Sequence, residues 1–132
     1  MKQKEIRVLM VAPGEHPKEV TIRNDLDSLQ EAVSIGSDHQ GLIEIIGIDD
    51  MVCILCNEDG KLIGLEGNRR VGDDIIAGVF YVVGENGRGN LTSLSDAEME
   101  RYRKLFWEPE NFSEAAVADA IVMYLLEGWP DE

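Results

Sequence analysis

The sequence predicts an α+β fold, a single domain with a mixed or mainly antiparallel sheet of five to six strands packed by about three helices. Its 132 residues, 44% of them apolar, suit one compact domain that buries about two-thirds of the surface exposed by the unfolded chain. Short β-rich runs separated by turn residues dominate as far as residue 83. From residue 95 onwards the apolar residues follow helical spacing instead.

Five β-rich runs predict the strands: residues 6–11, 19–22, 42–48, 51–55 and 75–83. The first two are joined by Pro13-Gly14, which indicates an antiparallel hairpin. The runs at 42–48 and 51–55 are continuously apolar, which is typical of central strands buried on both faces. A hairpin turn at residues 57–60 leads into residues 61–65.

The segments between these runs and the final strand have turn-rich composition. Residues 66–74 contain no regular apolar pattern and are predicted to be irregular. Residues 84–90 hold three glycines and two asparagines, and they predict a mobile surface loop.

Three helices are predicted, over residues 25–35, over residues 96–106 and behind Ser113. The second is the best supported, because Ser95 and Glu98 form a capping-box pattern ahead of helically spaced apolar residues. The whole chain, 1–132, is expected to be one domain, with a core at about 6–107 and a helical C-terminal extension at about 108–132.

The net charge of −14 is the strongest global feature of the sequence. Residues 24–132 carry twenty-three acidic and only seven basic side chains. Such a surface repels nucleic acids and anionic membranes, whose binding depends on basic side chains. It suits a basic partner protein, or it serves only solubility. No apolar run is long enough to span a membrane, and the N-terminus lacks a signal-peptide core, so a cytoplasmic protein is expected.

No set of residues predicts catalysis, a metal site or a cofactor. Cys53 and Cys56 lie three residues apart on a predicted strand and so point to opposite faces, which indicates core packing. No Gly-x-Ser-x-Gly nucleophile motif is present. The acidic pairs Asp49-Asp50, Glu58-Asp59 and Asp73-Asp74 are explained by turns, where aspartate is favoured.

The candidate ligand-binding residues are Asn57, Asn68, Arg69 and Arg70, which lie in the segment CNEDGKLIGLEGNRR. In so acidic a chain, two adjacent arginines have two alternative roles. They are either internal counter-charges for carboxylates or donors to a ligand that bears a carboxylate or phosphate. The sequence leaves both roles open.

The segment CNEDGKLIGLEGNRR, followed by DDIIAGVFYVVG and LTSLSDAEMERY, resembles the domain of unknown function family 3846. The segments VLMVAPGEHPKEVTI, LDSLQEAV and LIEIIGI precede them in the order of that family, so the resemblance covers about residues 6–107. Its recurrent positions correspond here to Asn57, Gly60, Gly64, Asn68, Arg69, Gly78 and Gly84. The resemblance implies a small bacterial protein that accompanies phages and conjugative elements.

These observations favour a non-enzymatic binding protein of a phage or mobile element, whose acidic surface engages a host protein through nucleic-acid mimicry or an anti-defence role. The alternative is a protein that binds or sequesters a small anionic ligand in a pocket near Asn68–Arg70. Direct nucleic-acid and membrane binding are not expected.

Overall fold

The structure, a computed structural model, describes residues 3–118. The bounds of its strands and complete helices are β1 Glu5–Val11, β2 Lys18–Arg23, α1 Leu26–Ala32, β3 Ile43–Asp49, β4 Val52–Asn57, β5 Gly67–Val71, β6 Asp74–Ala77, β7 Phe80–Glu85, β8 Leu91–Thr92 and α2 Asp96–Leu105. A further helix begins at residue 114 and is described as far as residue 118.

The main sheet has six strands, in the order β2-β1-β7-β4-β3, with β8 paired to β7. A separate two-stranded sheet consists of β5 and β6. All the strand pairs of the described residues are antiparallel. The predicted α+β fold with a mainly antiparallel sheet is confirmed, as is the opening β1–β2 hairpin.

The main sheet separates two apolar clusters, and the side-chain alternation along β4 shows why. Cys53 and Leu55 belong to the cluster that includes Leu29 and Val33 of the α1 region. Their neighbour Ile54 belongs instead to the cluster on the other face, where α2 and the two-stranded sheet pack. A strand buried on both faces must be continuously apolar, and β4 is.

Helix α1 begins at the predicted place, with Asp25 as N-cap accepting from the Ser28 N–H at 2.8 Å. The predicted capping box of α2 is also present, because Ser95 and Glu98 each bond the other's main-chain N–H. Both helices end earlier than predicted. They span seven and ten residues.

The prediction of a single strand over residues 75–83 is wrong. Gly78 interrupts it with a φ of 84°, so that β6 joins the small sheet and β7 the main sheet. The irregular segment predicted at 66–74 contains β5, whose partner is β6. Sequence alternation could not find β5, because Asn68 and Arg69 are buried polar residues in a strand.

Strand β3 was predicted to be buried on both faces, and this is also wrong. It lies at the edge of the sheet, where β4 is its only strand partner in the described part of the chain, and four of its seven residues are exposed. The turn at Asn57–Gly60 does not lead into a sixth long strand either. Residues 58–64 form successive turns, closed by hydrogen bonds such as Leu65 N to Gly60 O at 2.9 Å.

The described part of the C-terminal extension packs on the small sheet. Gly67 of β5 lies so close to Phe112 and Val117 that an added Cβ would come within 2.9 Å of the Val117 side chain. Ser113 caps the helix that begins at 114 by accepting from the Ala116 N–H at 3.0 Å. The remainder of the predicted last helix falls outside the described residues.

Candidate functional site

Asn68 lies inside the molecule with 0% relative exposure. Its Nδ2 donates to the carbonyl oxygens of Val11 at 2.8 Å and Gly78 at 2.9 Å. Val11 ends β1, and Gly78 connects β6 to β7. One amide group therefore fastens the small sheet to the end of β1.

Arg69 is also fully buried, with 0% relative exposure, and donates four hydrogen bonds. Nε donates to the carbonyl of Phe106 at 3.0 Å, and Nη2 donates to the carbonyl of Glu15 at 2.6 Å. Nη1 donates to Oδ1 of Asn68 at 2.8 Å and to its carbonyl at 3.3 Å. Four of the five N–H donors of a guanidinium thus have internal acceptors.

The charge of Arg69 is stabilised by carbonyl dipoles. Burial lowers the pKa of Arg69, an effect that nearby Glu110 opposes. An arginine still stays protonated. Phe106 is the C-cap of α2, and the C-terminal end of a helix carries partial negative charge that favours a cation.

We call this arrangement the Arg69 cage: the side chains of Asn68 and Arg69 with their acceptor carbonyls at Val11, Glu15, Gly78 and Phe106. It joins β5 to the end of β1, the loop after β1 and the end of α2. Within residues 3–118, Arg69 forms no ion pair. Neither side chain of the cage presents an exposed atom to a ligand in this structure, and the cage holds packed elements together.

Arg70 has the opposite surroundings, because it follows the three buried residues at the start of β5. It is exposed, and its guanidinium carbon lies 5.7 Å from the centroid of the Phe112 ring. The carboxylate of Glu110 accepts from the main-chain N–H of Arg70 at 3.3 Å. Arg70 also lines an open groove of about 580 Å³ between β3, β5 and α2.

Asn57 lies elsewhere, at the end of β4, with 4% relative exposure. Its Nδ2 donates to the Val33 carbonyl at 3.3 Å, and its Oδ1 accepts from the Asp59 N–H at 2.9 Å. It lines a cavity of about 280 Å³ together with residues 36–41, and no residue lines both this cavity and the Arg70 groove. The four residues predicted from sequence therefore do not form one pocket.

The two cysteines are buried in β4, on opposite faces of the sheet, as predicted. Burial, followed by the charge of Glu85, raises the pKa of Cys53 to about 11. Burial, followed by the charge of Glu44, raises the pKa of Cys56 to about 12. Both thiols are therefore protonated near neutral pH and are weak nucleophiles.

Within residues 3–118, no three His, Cys, Asp or Glu side chains are placed where they could hold a metal ion together. No helix of the described chain is long and apolar enough to cross a membrane.

A second feature is the uneven distribution of acidic and basic side chains along the chain. Residues 24–60 contain nine acidic side chains and no lysine or arginine, and we call them the acidic stretch. They comprise α1, β3, β4 and the loops between them. In the part of the chain that the structure describes, only Asp25 and Asp49 of these nine form ion pairs. A charge count over shorter windows of the sequence would have found this segment.

Most of the large exposed apolar side chains of the described chain also lie in the acidic stretch: Leu26, Ile35, Leu42, Ile45 and Met51 are each more than half exposed. Ile45 and Met51 line a further cavity of about 260 Å³ beside β3. The outer edge of β3 has no strand partner among the described residues. Exposed apolar patches and open strand edges are typical of surfaces that bind other proteins.

Near the start of β3, several carboxylates lie close to one another. Burial raises the pKa of Glu44, and the charges of Asp74 and Glu58 raise it further, against the opposing effect of Lys61. Lys61 itself is hydrogen-bonded to Asp74. The local field at this end of β3 is thus negative and favours a cation.

Comparison with known proteins provides a family but no activity. The family model described as Domain of unknown function (DUF3846) matches residues 6–107. No curated protein and no solved structure matches the chain significantly. The matched segment includes every element from β2 to α2 and all four candidate residues discussed above. Since the match covers most of the chain, this protein belongs to the DUF3846 family.

Proposed function

We propose that this protein is a non-enzymatic, cytoplasmic binding protein whose acidic stretch engages a basic segment of a partner protein. The observation that carries the proposal is the composition of residues 24–60, with nine acidic and no basic side chains. Within residues 3–118, only Asp25 and Asp49 of these nine acids form ion pairs. The other seven carboxylates have no ion-pair partner there. Complementary charge on a partner would speed its association and select against acidic competitors.

The open edge of β3 supports a specific mode of binding, in which the partner adds an extended strand to the sheet. Strand β3 has seven residues and, among residues 3–118, pairs only with β4. Edge strands commonly carry charged side chains that oppose nonspecific pairing, and in β3 these are the carboxylates of Glu44 and Asp49, which favour a basic partner strand. Main-chain hydrogen bonds would supply affinity, and alternate side chains of the partner would meet Ile45 and the carboxylates.

A second copy of the same chain is a poor occupant of this edge. Pairing two β3 strands would place the acidic side chains of both copies on one short segment, and like charges opposite each other destabilise a strand pair. A partner strand in which lysine or arginine alternates with apolar residues fits the charge and the exposed Ile45 together.

The setting implied by the family resemblance, that of a phage or mobile element, makes a host protein the expected partner. A host protein that normally binds nucleic acid would present basic segments of this kind. Double-stranded DNA should then compete with this protein for the partner. If the partner binds this protein through a basic surface that does not bind nucleic acid, DNA should not affect the binding.

The test uses a displayed library of short random peptides as the probe. We expect selected peptides to alternate basic and apolar residues, to bind more weakly at raised salt, and to slow hydrogen exchange at the β3 amides. The variant Ile45→Lys should weaken binding by about tenfold or more, because it places a positive charge at the docking edge.

The matched control is Thr21→Lys, which adds the same charge to the exposed face of the opposite edge strand, β2. It should leave peptide affinity unchanged. Selected peptides without basic residues would contradict the recognition of a basic segment. Equal losses of peptide affinity from Ile45→Lys and Thr21→Lys would show that the β3 edge is not the binding surface.

A further inference from the structure

A groove lined by three cationic side chains lies in a protein whose net charge is −14. Its walls come from the end of β3, the end of β5 and the last turns of α2. The cations are Arg70, Arg101 and Lys104, opposed by the carboxylates of Asp49 and Glu110. Its volume of about 580 Å³ is within the range of about 300–1,000 Å³ that small-molecule sites usually occupy.

The two carboxylates of the groove already have internal hydrogen-bond donors. Asp49 Oδ2 accepts from the Tyr102 hydroxyl and lies 3.0 Å from Nη2 of Arg101, while its Oδ1 accepts from the Asp50 N–H at 2.8 Å. Glu110 accepts from the main-chain N–H of Arg70. Asp49 is thus already paired with Arg101, whereas Glu110 accepts one main-chain hydrogen bond and keeps its negative charge.

The cations are less fully engaged. Among the described residues, the Arg70 guanidinium forms no ion pair and lies over the Phe112 ring. Lys104 Nζ lies 3.8 Å from Glu100, at the limit of an ion pair, and its side chain is 76% exposed. A guanidinium has five N–H donors in a planar arrangement that matches carboxylate and phosphate oxygens.

The remaining lining of the groove is largely apolar, with Ile48, Val71, Leu105 and Phe106. Leu105 is 65% exposed, although the next residue, Phe106, is buried. Apolar walls with a few convergent charged groups are typical of pockets for organic ligands, in which the charges fix orientation. A purely hydrated ion would make no use of these apolar walls.

We propose that this groove binds a small organic anion, with its carboxylate or phosphate at Arg70 and Lys104 and its apolar or aromatic body against Leu105. The groove shares Ile48 and Asp49 with the acidic stretch, but the side chains proposed to contact the ligand, Arg70, Lys104 and Leu105, lie outside that stretch. Arg69 takes no part in contacting the ligand and only holds β5 in place beside α2.

The experiment is an NMR titration of the full chain with phenyl phosphate, inorganic phosphate and benzylamine. We expect phenyl phosphate to shift amide signals of residues 48–49, 70–72 and 101–106, and benzylamine to leave them unchanged. Inorganic phosphate should bind more weakly than phenyl phosphate, because it cannot contact the apolar wall.

Two variants test the named contacts. Arg70→Ala should weaken phenyl phosphate binding by about tenfold, and Leu105→Gln should weaken it while leaving inorganic phosphate unaffected. Arg88→Ala is the matched control, since it removes an exposed arginine from the turn after β7. The spectrum of each free variant reports whether it is folded.

Shifts scattered over the surface, or equal affinity in Arg70→Ala and the wild type, would overturn the assignment of the groove. If phenyl phosphate and inorganic phosphate bound with equal affinity, and Leu105→Gln changed neither affinity, the proposed contact between Leu105 and the apolar body of the ligand would be overturned.

Discussion

Arg69 and Arg70 are neighbours in the chain, yet they belong to two regions with opposite physical behaviour. Arg69 is completely buried and donates to the main-chain carbonyls of Phe106, Asn68 and Glu15. Arg70 is exposed at the edge of a groove, over an aromatic ring. The same side-chain chemistry therefore stabilises the interior in one case and remains available to a ligand in the other.

The difference arises from the strand that carries both residues. The first three residues of β5 are buried and Arg70 is exposed, so Arg69 and Arg70 have different dielectric surroundings. A buried hydrogen-bonding group that loses its partner costs far more free energy than an exposed group, because water can replace the partner only at the exposed group. Substitutions in the two regions should therefore separate clearly.

The largest effect is expected at Arg69. Arg69→Ala leaves the carbonyls of Glu15 and Phe106 without donors and creates a cavity, so the free energy of unfolding should fall by about 3–5 kcal/mol. Urea denaturation followed by circular dichroism measures this loss. Arg70→Ala is the control and should cost about 0.5 kcal/mol or less. Similar losses for the two variants would contradict the comparison.

A smaller loss is expected for Asn68→Ala. This change removes the donor to Val11 and Gly78 and one acceptor of Arg69, and it should lower the free energy of unfolding by about 2–3 kcal/mol. The same denaturation experiment applies. Asn111→Ala, at an exposed asparagine, should stay within about 0.5 kcal/mol of the wild type. If Asn68→Ala were equally mild, the cage would not stabilise the fold.

Gly78 tests the backbone that supplies one cage carbonyl. Its φ of 84° disfavours other residues, and a Cβ there would lie 2.7 Å from the Leu65 side chain. Gly78→Ala should therefore cost about 2 kcal/mol, against about 1 kcal/mol for Gly89→Ala, which has a similar φ of 85° but open space around it. Thermal denaturation of both variants measures the difference. Equal costs would mean that Leu65 moves aside freely.

The smallest effect concerns Asp49 at the groove and depends on pH. The Asp50 N–H, then the Tyr102 hydroxyl and the Arg101 charge, lower the pKa of Asp49 from its ordinary 3.8. A lowered pKa stabilises the fold fully above the unfolded value and progressively less as the pH falls through the folded value. The stability difference between the wild type and Asp49→Asn should thus be constant above about pH 5 and shrink below about pH 4.

Urea denaturation at several pH values measures this difference. Asp38→Asn, at an exposed loop aspartate without an ion pair in the described chain, serves as the control for the loss of one surface carboxylate. A difference that grows on acidification would contradict the sign of the pKa shift.

Local signals in the sequence were sufficient for several elements of the fold. The β1–β2 hairpin, the capping box of α2 and the burial of both cysteines in β4 follow from residue types at short spacing. Turn and cap interactions join residues close in the chain, so their physics is visible in a window of a few residues. The same holds for the overall α+β class.

Positions relative to the sheet edges were not predictable in this way. The isoleucine-rich run of β3 has the composition of a central strand, but pairing placed it at the edge. The run from Ile75 to Val83 has uniform β character, and a positive φ at Gly78 divides it between two sheets. Strand order depends on long-range contacts, which local composition does not encode.

The sequence by itself determined the fold class, the caps, the excess of acidic side chains and the choice of Asn68 to Arg70 as a segment of interest. Only the tertiary structure decided that Arg69 is enclosed by carbonyls from the loop after β1 and the end of α2, whereas Arg70 faces a groove. The physical reason is that solvation depends on which atoms the fold brings around a charge. Those atoms lie between 37 and 54 residues away from Arg69 in the chain.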